Sequence, residues 1–262
     1  MTEWNASGYS RIAQLQEKMA AQALGLLKLK GTERTLDVGC GNGKVTAQIA
    51  ARLAGGSIVG IDPSTDMIAF ASSQFPSATH PNLSFKVADA RSLPFRDEFD
   101  LVVSFNALHW IPDQDAALSS IHRTMKPNST AQLRLVPAGK RKSLETVIEE
   151  TRSSPRWASF YQDFHDPYLH WTLEQYATAA ERNHFRVQDV RTEDQAWDFT
   201  SREAFIAFGM VTFVEWTKRL PENQKLAFVI DVLDRYRVVA AEKPGEENVF
   251  KFYQMDVTLI GA

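Results

Sequence analysis

Three glycines within five residues, Gly39, Gly41 and Gly43, follow the β-rich run Thr35-Leu36-Asp37-Val38 and open a helical stretch from Lys44 to Leu53. A second β-rich run, Ser57 to Ile61, then closes on Asp62. A strand, a turn without side chains, a helix and a strand ending in a carboxylate constitute a βαβ unit, which few folds accommodate. Its strands run parallel, because the connection is too long for a hairpin, and such crossovers are nearly always right-handed. Glycine backbone lets a ligand approach peptide N–H groups at the helix start, and the carboxylate suits ribose hydroxyls. The unit predicts a doubly wound α/β sheet that holds an adenosine-containing ligand.

The alternation continues along the chain. Thr65 to Gln74 reads as helix, Leu83 to Val87 and Phe99 to Phe105 as strands, Asp115 to Met125 as helix and Ala131 to Val136 as strand. Arg186 to Thr192 and Phe250 to Ile260 supply later strands, and long helical patterns run over Lys142 to Arg152, Leu173 to Arg182, Arg202 to Lys218 and Glu222 to Ala241. The expectation is a mainly parallel seven-stranded sheet, Rossmann-like, with an α-helical lid. Residues 1–30 form a helical segment over the cofactor pocket, 31–137 the cofactor-binding core, and 138–262 the remaining strands. The lid is inserted at about 140–170 and 200–245, over the sheet edge where ligands bind.

The glycine spacing narrows the ligand. A dinucleotide fingerprint places its third glycine three positions after the second, whereas Gly43 stands two after Gly41. A phosphate loop needs Lys followed by Ser or Thr, and Val45 follows Lys44. Asp37 would repel a pyrophosphate yet can receive the ammonium of an amino-acid cofactor, directly or through water. Asp62 ends the second strand, and Asp89 follows the third, within reach of an adenine amino group or as a loop carboxylate or helix cap. Acids at three successive strand ends suit a cationic adenosyl compound better than a diphosphate.

Bulk properties bound the partners. A 262-residue chain, 44% hydrophobic and with formal charge -3, supports a sizeable core and offers no overall attraction to nucleic acid or anionic lipid. Cys40 is the only cysteine, so neither an intrachain disulfide framework nor a thiolate-rich metal site is expected. No apolar run approaches the roughly 18 residues that cross a bilayer. A cytoplasmic, metal-free monomer or homodimer without membrane or nucleic-acid partners is expected.

Glu33-Arg34-Thr35-Leu36-Asp37-Val38-Gly39-Cys40-Gly41-Asn42-Gly43 resembles the first motif of class I S-adenosylmethionine-dependent methyltransferases, and Val59-Gly60-Ile61-Asp62-Pro63-Ser64 the second. Ala88-Asp89-Ala90 and Phe99-Asp100-Leu101-Val102-Val103-Ser104 resemble the third and fourth, with Leu93-Pro94-Phe95 between them. The four occur in order over about residues 34 to 136. The resemblance implies S-adenosylmethionine as cofactor and S-adenosylhomocysteine as product. It implies Gly39, Cys40 and Gly41 along the methionine portion, Asp62 at the ribose, Met67 and Ala90 at the adenine faces, Asp89 at the adenine edge and Asn106 near the sulfonium.

Phe105-Asn106-Ala107-Leu108-His109-Trp110-Ile111-Pro112-Asp113 bears on the acceptor. It lacks the Asn/Asp-Pro-Pro-aromatic signature of many base and glutamine N-methyltransferases. Its Ala-Leu-His-Trp-Ile-Pro-Asp form is similar to the trans-aconitate methyltransferases and, more loosely, to juvenile hormone acid methyltransferases. That likeness implies O-methylation of a small-molecule carboxylate with an apolar part. A carboxylate is ionised at neutral pH and needs orientation rather than a base, for which Trp110, His109 and Gln14 offer donors. For a hydroxyl or amine, His109 is the candidate general base. Tyr9, Gln14, His109, Trp110 and Trp171 are the candidates for the acceptor pocket. A nucleotide-dependent oxidoreductase, an RNA or protein methyltransferase and a non-catalytic cofactor-binding protein are the alternatives.

Overall fold

The structure, a computed structural model, describes the backbone of residues 6–261 and the side chains from residue 14 onward. Helix α1 (Ala6–Gly25) leads into β1 (Arg34–Val38), α2 (Lys44–Ala50), β2 (Ser57–Asp62), α3 (Thr65–Gln74), β3 (Leu83–Val87) and β4 (Phe99–Phe105). Then follow α4 (Gln114–Thr124), β5 (Met125–Leu135), α5 (Leu144–Arg152), α6 (Leu173–Arg182) and β6 (Phe185–Asp198). The chain ends with α7 (Arg202–Thr212), α8 (Val214–Thr217), α9 (Glu222–Ala240) and β7 (Val249–Gly261). The seven strands form one sheet in the order β3-β2-β1-β4-β5-β7-β6. Strands β1 to β5 pair in parallel, and β7 runs antiparallel to β5.

Both faces of the central strands are buried, so apolar side chains occupy successive positions instead of alternating with polar ones. Ile58, Leu101 and Val103 pack with Ile49 of α2, Leu53 beyond it and Leu24 of α1. Leu36, Val38, Val59, Ile61 and Val102 face the other way, against Leu118 and Ile121 of α4 and Tyr176 of α6. The helix starts are explicit in the sequence: Ser64, Asp113, Ser143, Thr172 and Ser201 each accept a backbone N–H at an N-cap.

The expected strand over Ala131 to Val136 begins earlier, at Met125, and its pairing with β4 slips between Phe99 and Leu101. The last strand shows no clean polar face in sequence, yet it sorts its residues by side. Met255, Val257 and Leu259 join the core, while Asp256 and Thr258 stand opposite Arg134 and Gln132 of β5. The expected helix over Arg202 to Lys218 breaks at Phe213. There Thr212 Oγ1 donates back to the Phe208 carbonyl at 2.8 Å, a competing side-chain bond at the last turn.

The described residues divide into two compact units, one of residues 20–137, 169–193 and 254–261, the other of residues 6–19, 138–168 and 194–253. The first contains the glycine turn. The second is helical and dense in aromatic side chains. Trp157 and Trp216, each 1% exposed, donate their indole N–H to Asp231 and Glu149 at 2.7 and 2.6 Å. Phe205, Phe199, Phe208, Phe250 and Phe252 contact one another in that order with centroid separations of 4.7 to 5.3 Å. Trp157, Tyr161, Phe213 and Trp216 are thus core of this unit. No helix among the described residues is long and apolar enough to cross a membrane.

Candidate active site

The glycine turn is built by backbone demands that differ at each position. Gly39, Gly41 and Gly43 have φ of +79°, +51° and +77°, the left-handed region in which a side chain is strained. A Cβ on Gly39 would lie 2.2 Å from Cβ of Ala107, and one on Gly43 2.6 Å from Phe85. At Gly41 a Cβ would meet nothing within 4 Å. Gly39 and Gly43 are therefore packing glycines, and Gly41 opens onto free space. Main-chain bonds from Gly39 and Cys40 to the Ile61 carbonyl, 2.8 and 2.9 Å, tie the turn to the end of β2.

Asp62 closes this arrangement. Its carboxylate accepts the Gly41 N–H at 3.1 Å and the Ser64 N–H at 2.9 Å, so both oxygens are oriented by backbone donors. Asp37 lies beneath the turn, 3% exposed, and receives the Thr46 hydroxyl at 2.7 Å. Burial pushes its pKa up to about 7, the Thr46 hydrogen bond opposes that, and the negative charge of Asp62 adds to it. Cys40 is buried, and its thiol is held protonated by burial and by the two acids. Its side chain packs on Gly60, where a Cβ would lie 3.0 Å from the sulfur. The cysteine contributes backbone and packing, not a nucleophile.

The remaining cofactor candidates divide. Met67 on α3 is 46% exposed, and Phe70 one turn on is 50% exposed. Val87, 51% exposed, stands beside Asp62 in the β2–β3 register. The sequence reading passed over Phe70 and Val87, whose one signal is exposed apolar surface beside the strand ends. Ala90 is 5% exposed and packs in the core with Leu93 and Phe95. Asp89 caps a 3₁₀ turn over Ala90–Ser92 and pairs with the Arg91 guanidinium at 2.5 Å, which lowers its pKa. The helix-cap reading of Asp89 is realised.

Asn106 follows β4 with a left-handed backbone, φ +57°, and its N–H donates to the Arg134 carbonyl at 2.7 Å. Its side chain accepts from Nε2 of Gln254 at 3.1 Å. The next residues form a 3₁₀ turn, Leu108–Trp110, held by buried Gln114, whose Nε2 donates to the carbonyls of Leu108 and Ile111 at 2.6 Å each. Inside that turn His109 is 4% exposed. Its Nδ1 accepts the Val136 N–H at 3.2 Å, and its carbonyl accepts the Leu169 N–H at 2.8 Å. Burial drives its pKa down to about 3. An imidazole that accepts at Nδ1 and stays neutral carries its proton on Nε2. Trp110 is 36% exposed, its ring 5.7 Å from that of His109.

Trp171 is half-buried against the core, 6.5 Å from the Tyr176 ring. Gln14 is exposed on α1. Tyr9 belongs to α1 by its backbone, and its side chain lies outside the described residues. Arg134 is buried against Asp256 at 3.3 Å. The structure thus gathers Asp37, the glycines and Asp62 at one turn, and joins Asn106 to Ala107 beside it. It adds Thr46, Gln114 and Gln254, which no local motif marks.

The strand order, the reversed last strand and a glycine turn flanked by acids at successive strand ends are those of the Rossmann-like methyltransferase fold. Residues 35–128 match the methyltransferase domain family, and the comparisons support an S-adenosylmethionine-dependent methyltransferase. Protein 235L of Invertebrate iridescent virus 6, named only provisionally as a methyltransferase, is 26% identical over 89% of this chain and 85% of its own length. The trans-aconitate 2-methyltransferase of Delftia acidovorans is 28% identical over 62% of this chain, which spans only 60% of that enzyme. Phosphoethanolamine N-methyltransferase 2 of Haemonchus contortus, solved with S-adenosyl-L-methionine, superposes with a TM-score of 0.60 at 21% identity, over 92% of this chain and 52% of that one.

Proposed function

We propose that the protein transfers a methyl group from S-adenosylmethionine to a carboxylate oxygen of a small molecule. The single observation that carries the acceptor is the state of His109. It is the one imidazole in the segment after β4, and burial together with the Val136 N–H keeps it neutral and occupied at Nδ1. A hydroxyl or ammonium acceptor needs a base to remove its proton, whereas a carboxylate arrives ionised. The trans-aconitate 2-methyltransferase among the relatives supports the same reading.

The cofactor suits this turn. Gly41 leaves open space beside the oriented Asp62 carboxylate, and Asp37 waits as a buried acid close to neutrality, a donor set for a cation rather than a diphosphate. When bound, S-adenosylmethionine supplies an electrophilic methyl on a sulfonium. Asp62 would hold the ribose hydroxyls, Asp37 would balance the ammonium, and Met67 would face the adenine. Asn106 and the Trp110 indole orient the acceptor oxygen, and the packed 3₁₀ turn keeps them in place, so that positioning supplies much of the acceleration.

The test is a calorimetric titration with S-adenosylmethionine, S-adenosylhomocysteine and NAD, followed by a panel of carboxylic acids including trans-aconitate, phenols and amines. Methyl esters detected by mass spectrometry support the proposal. Methylated phenols or amines without esters would sink the carboxylate assignment, and cofactor binding without any product would leave a non-catalytic binding protein.

A further inference from the structure

Gln254 lies on β7, 148 positions from Asn106 in sequence, and is 1% exposed. Its Nε2 donates to two oxygens, the main-chain carbonyl of Leu135 at 2.9 Å and Oδ1 of Asn106 at 3.1 Å. The Leu135 carbonyl only accepts, so the atom facing it must be the amide nitrogen, and this fixes the Gln254 orientation without reference to electron counts. Turned over, Gln254 would set its oxygen against two acceptors. The orientation holds although Gln254 Oε1 is itself buried without a hydrogen-bond partner. The same nitrogen then requires an acceptor on Asn106, so Oδ1 turns toward β7 and Nδ2, with both its hydrogens, turns away from it.

We propose that Gln254 is a positioning residue for methyl transfer: it locks the Asn106 amide so that N–H donors, not a carbonyl, are offered at the end of β4. Donors there bind an oxyanion and do nothing for the N–H of an amine. The inference rests on the carboxylate reading above and assigns the residue that enforces it. The left-handed backbone of Asn106 and its short N–H bond to Arg134 fix the other end of the side chain. Neighbouring Asp256 forms ion pairs with Arg134 at 3.3 Å and with Arg191 at 3.5 Å.

A double-mutant cycle decides it, run on Gln254→Met, Asn106→Ala and the pair, with the best acceptor found in the panel. The expected result is that Gln254→Met lowers kcat/KM by about tenfold or more, mainly through KM of the acceptor, with S-adenosylmethionine affinity within about threefold of wild type. In the Asn106→Ala background the same change should cost nothing further. Additive losses, or a Gln254→Met enzyme with wild-type kcat/KM, overturn the proposal. If Gln254→Met fails to fold, Gln254→Leu, which likewise carries no donor, should show the same non-additivity. Independent of any acceptor, the side-chain amide signals of Asn106, assigned by their loss in Asn106→Ala, should shift in the Gln254 variant; unchanged signals count against the lock. Exclusive turnover of amines would defeat the carboxylate reading, and the cycle run on that amine would still show whether Gln254 acts through Asn106.

Discussion

Asp37 should couple cofactor binding to protons. Its pKa in the folded protein is raised to about 7, above the ordinary carboxylate value of 3.8. The folded state therefore holds the proton more tightly than the unfolded state, and stability falls as pH rises from about 4 to about 7, then levels off. Asp37→Asn should remove that decline, gaining at most about 4 kcal/mol at pH 8 and little at pH 4, as measured by urea unfolding. A cationic ligand favours the ionised acid, so wild-type affinity for S-adenosylmethionine should strengthen as pH rises through about 7, and the Asn variant should lose this dependence. His109 shifts the other way. Its imidazole is depressed to about 3, so below about 6.5 falling pH costs stability, and no basic limb of the rate profile should report it. At saturating cofactor, kcat should stay flat from about pH 7.5 to pH 9. A sigmoid in that range would show a base at work. Trp110→Phe should cut kcat/KM about tenfold while cofactor affinity holds within about threefold; equal loss of both would make Trp110 a packing residue.

At the scale of elements, the glycine turn separates packing from binding. Gly39→Ala adds a left-handed strain of about 1–2 kcal/mol to a Cβ contact at 2.2 Å with Ala107, so thermal stability and cofactor affinity should both fall. Gly41→Ala carries the backbone strain alone, because its Cβ enters open space. It should keep its melting temperature within a few degrees of wild type and still lose about tenfold or more in S-adenosylmethionine affinity. A Gly41→Ala protein with normal affinity would mean the cofactor does not occupy that space. The turn, the carboxylate at the end of β2 and the capped start of α3 are all legible in a run of contiguous residues. Such features are local: positive φ demands glycine, and a cap demands Ser, Thr, Asp or Asn at one position. The 3₁₀ turn at Leu108–Trp110 is less legible, since Gln114 holds it from the following helix through two carbonyls that no pattern of side chains announces.

For the molecule as a whole, a ligand that binds only the folded state raises stability by about 2.7 kcal/mol at one hundred times its Kd. With about 2–4 °C per kcal/mol for a chain near this size, S-adenosylmethionine should raise the melting temperature by about 5–10 °C, and NAD should not. The two compact units make the shift informative site by site. Trp216→Ala, in the helical unit, removes a buried indole and its bond to Glu149 and should cost about 3–5 kcal/mol. A cofactor shift of unchanged size in that variant would show that the glycine turn binds without help from that side chain.

The amino-acid sequence by itself determined the parallel sheet, the glycine turn and the acids at the strand ends, because each is set by backbone conformation or by periodicity within a few residues. It also left Asp89 between adenine edge and helix cap, and the structure shows it capping a 3₁₀ turn and paired with Arg91. Only the tertiary structure decided the chemical state of the site. Whether His109 is a base or a neutral bracket depends on burial and on an N–H that arrives from Val136. Whether Asn106 offers an oxygen or hydrogens depends on Gln254 and on a carbonyl of β5. Hydrogen-bond polarity and pKa are fixed by partners brought together through the sheet from distant parts of the chain, and no local spacing encodes them.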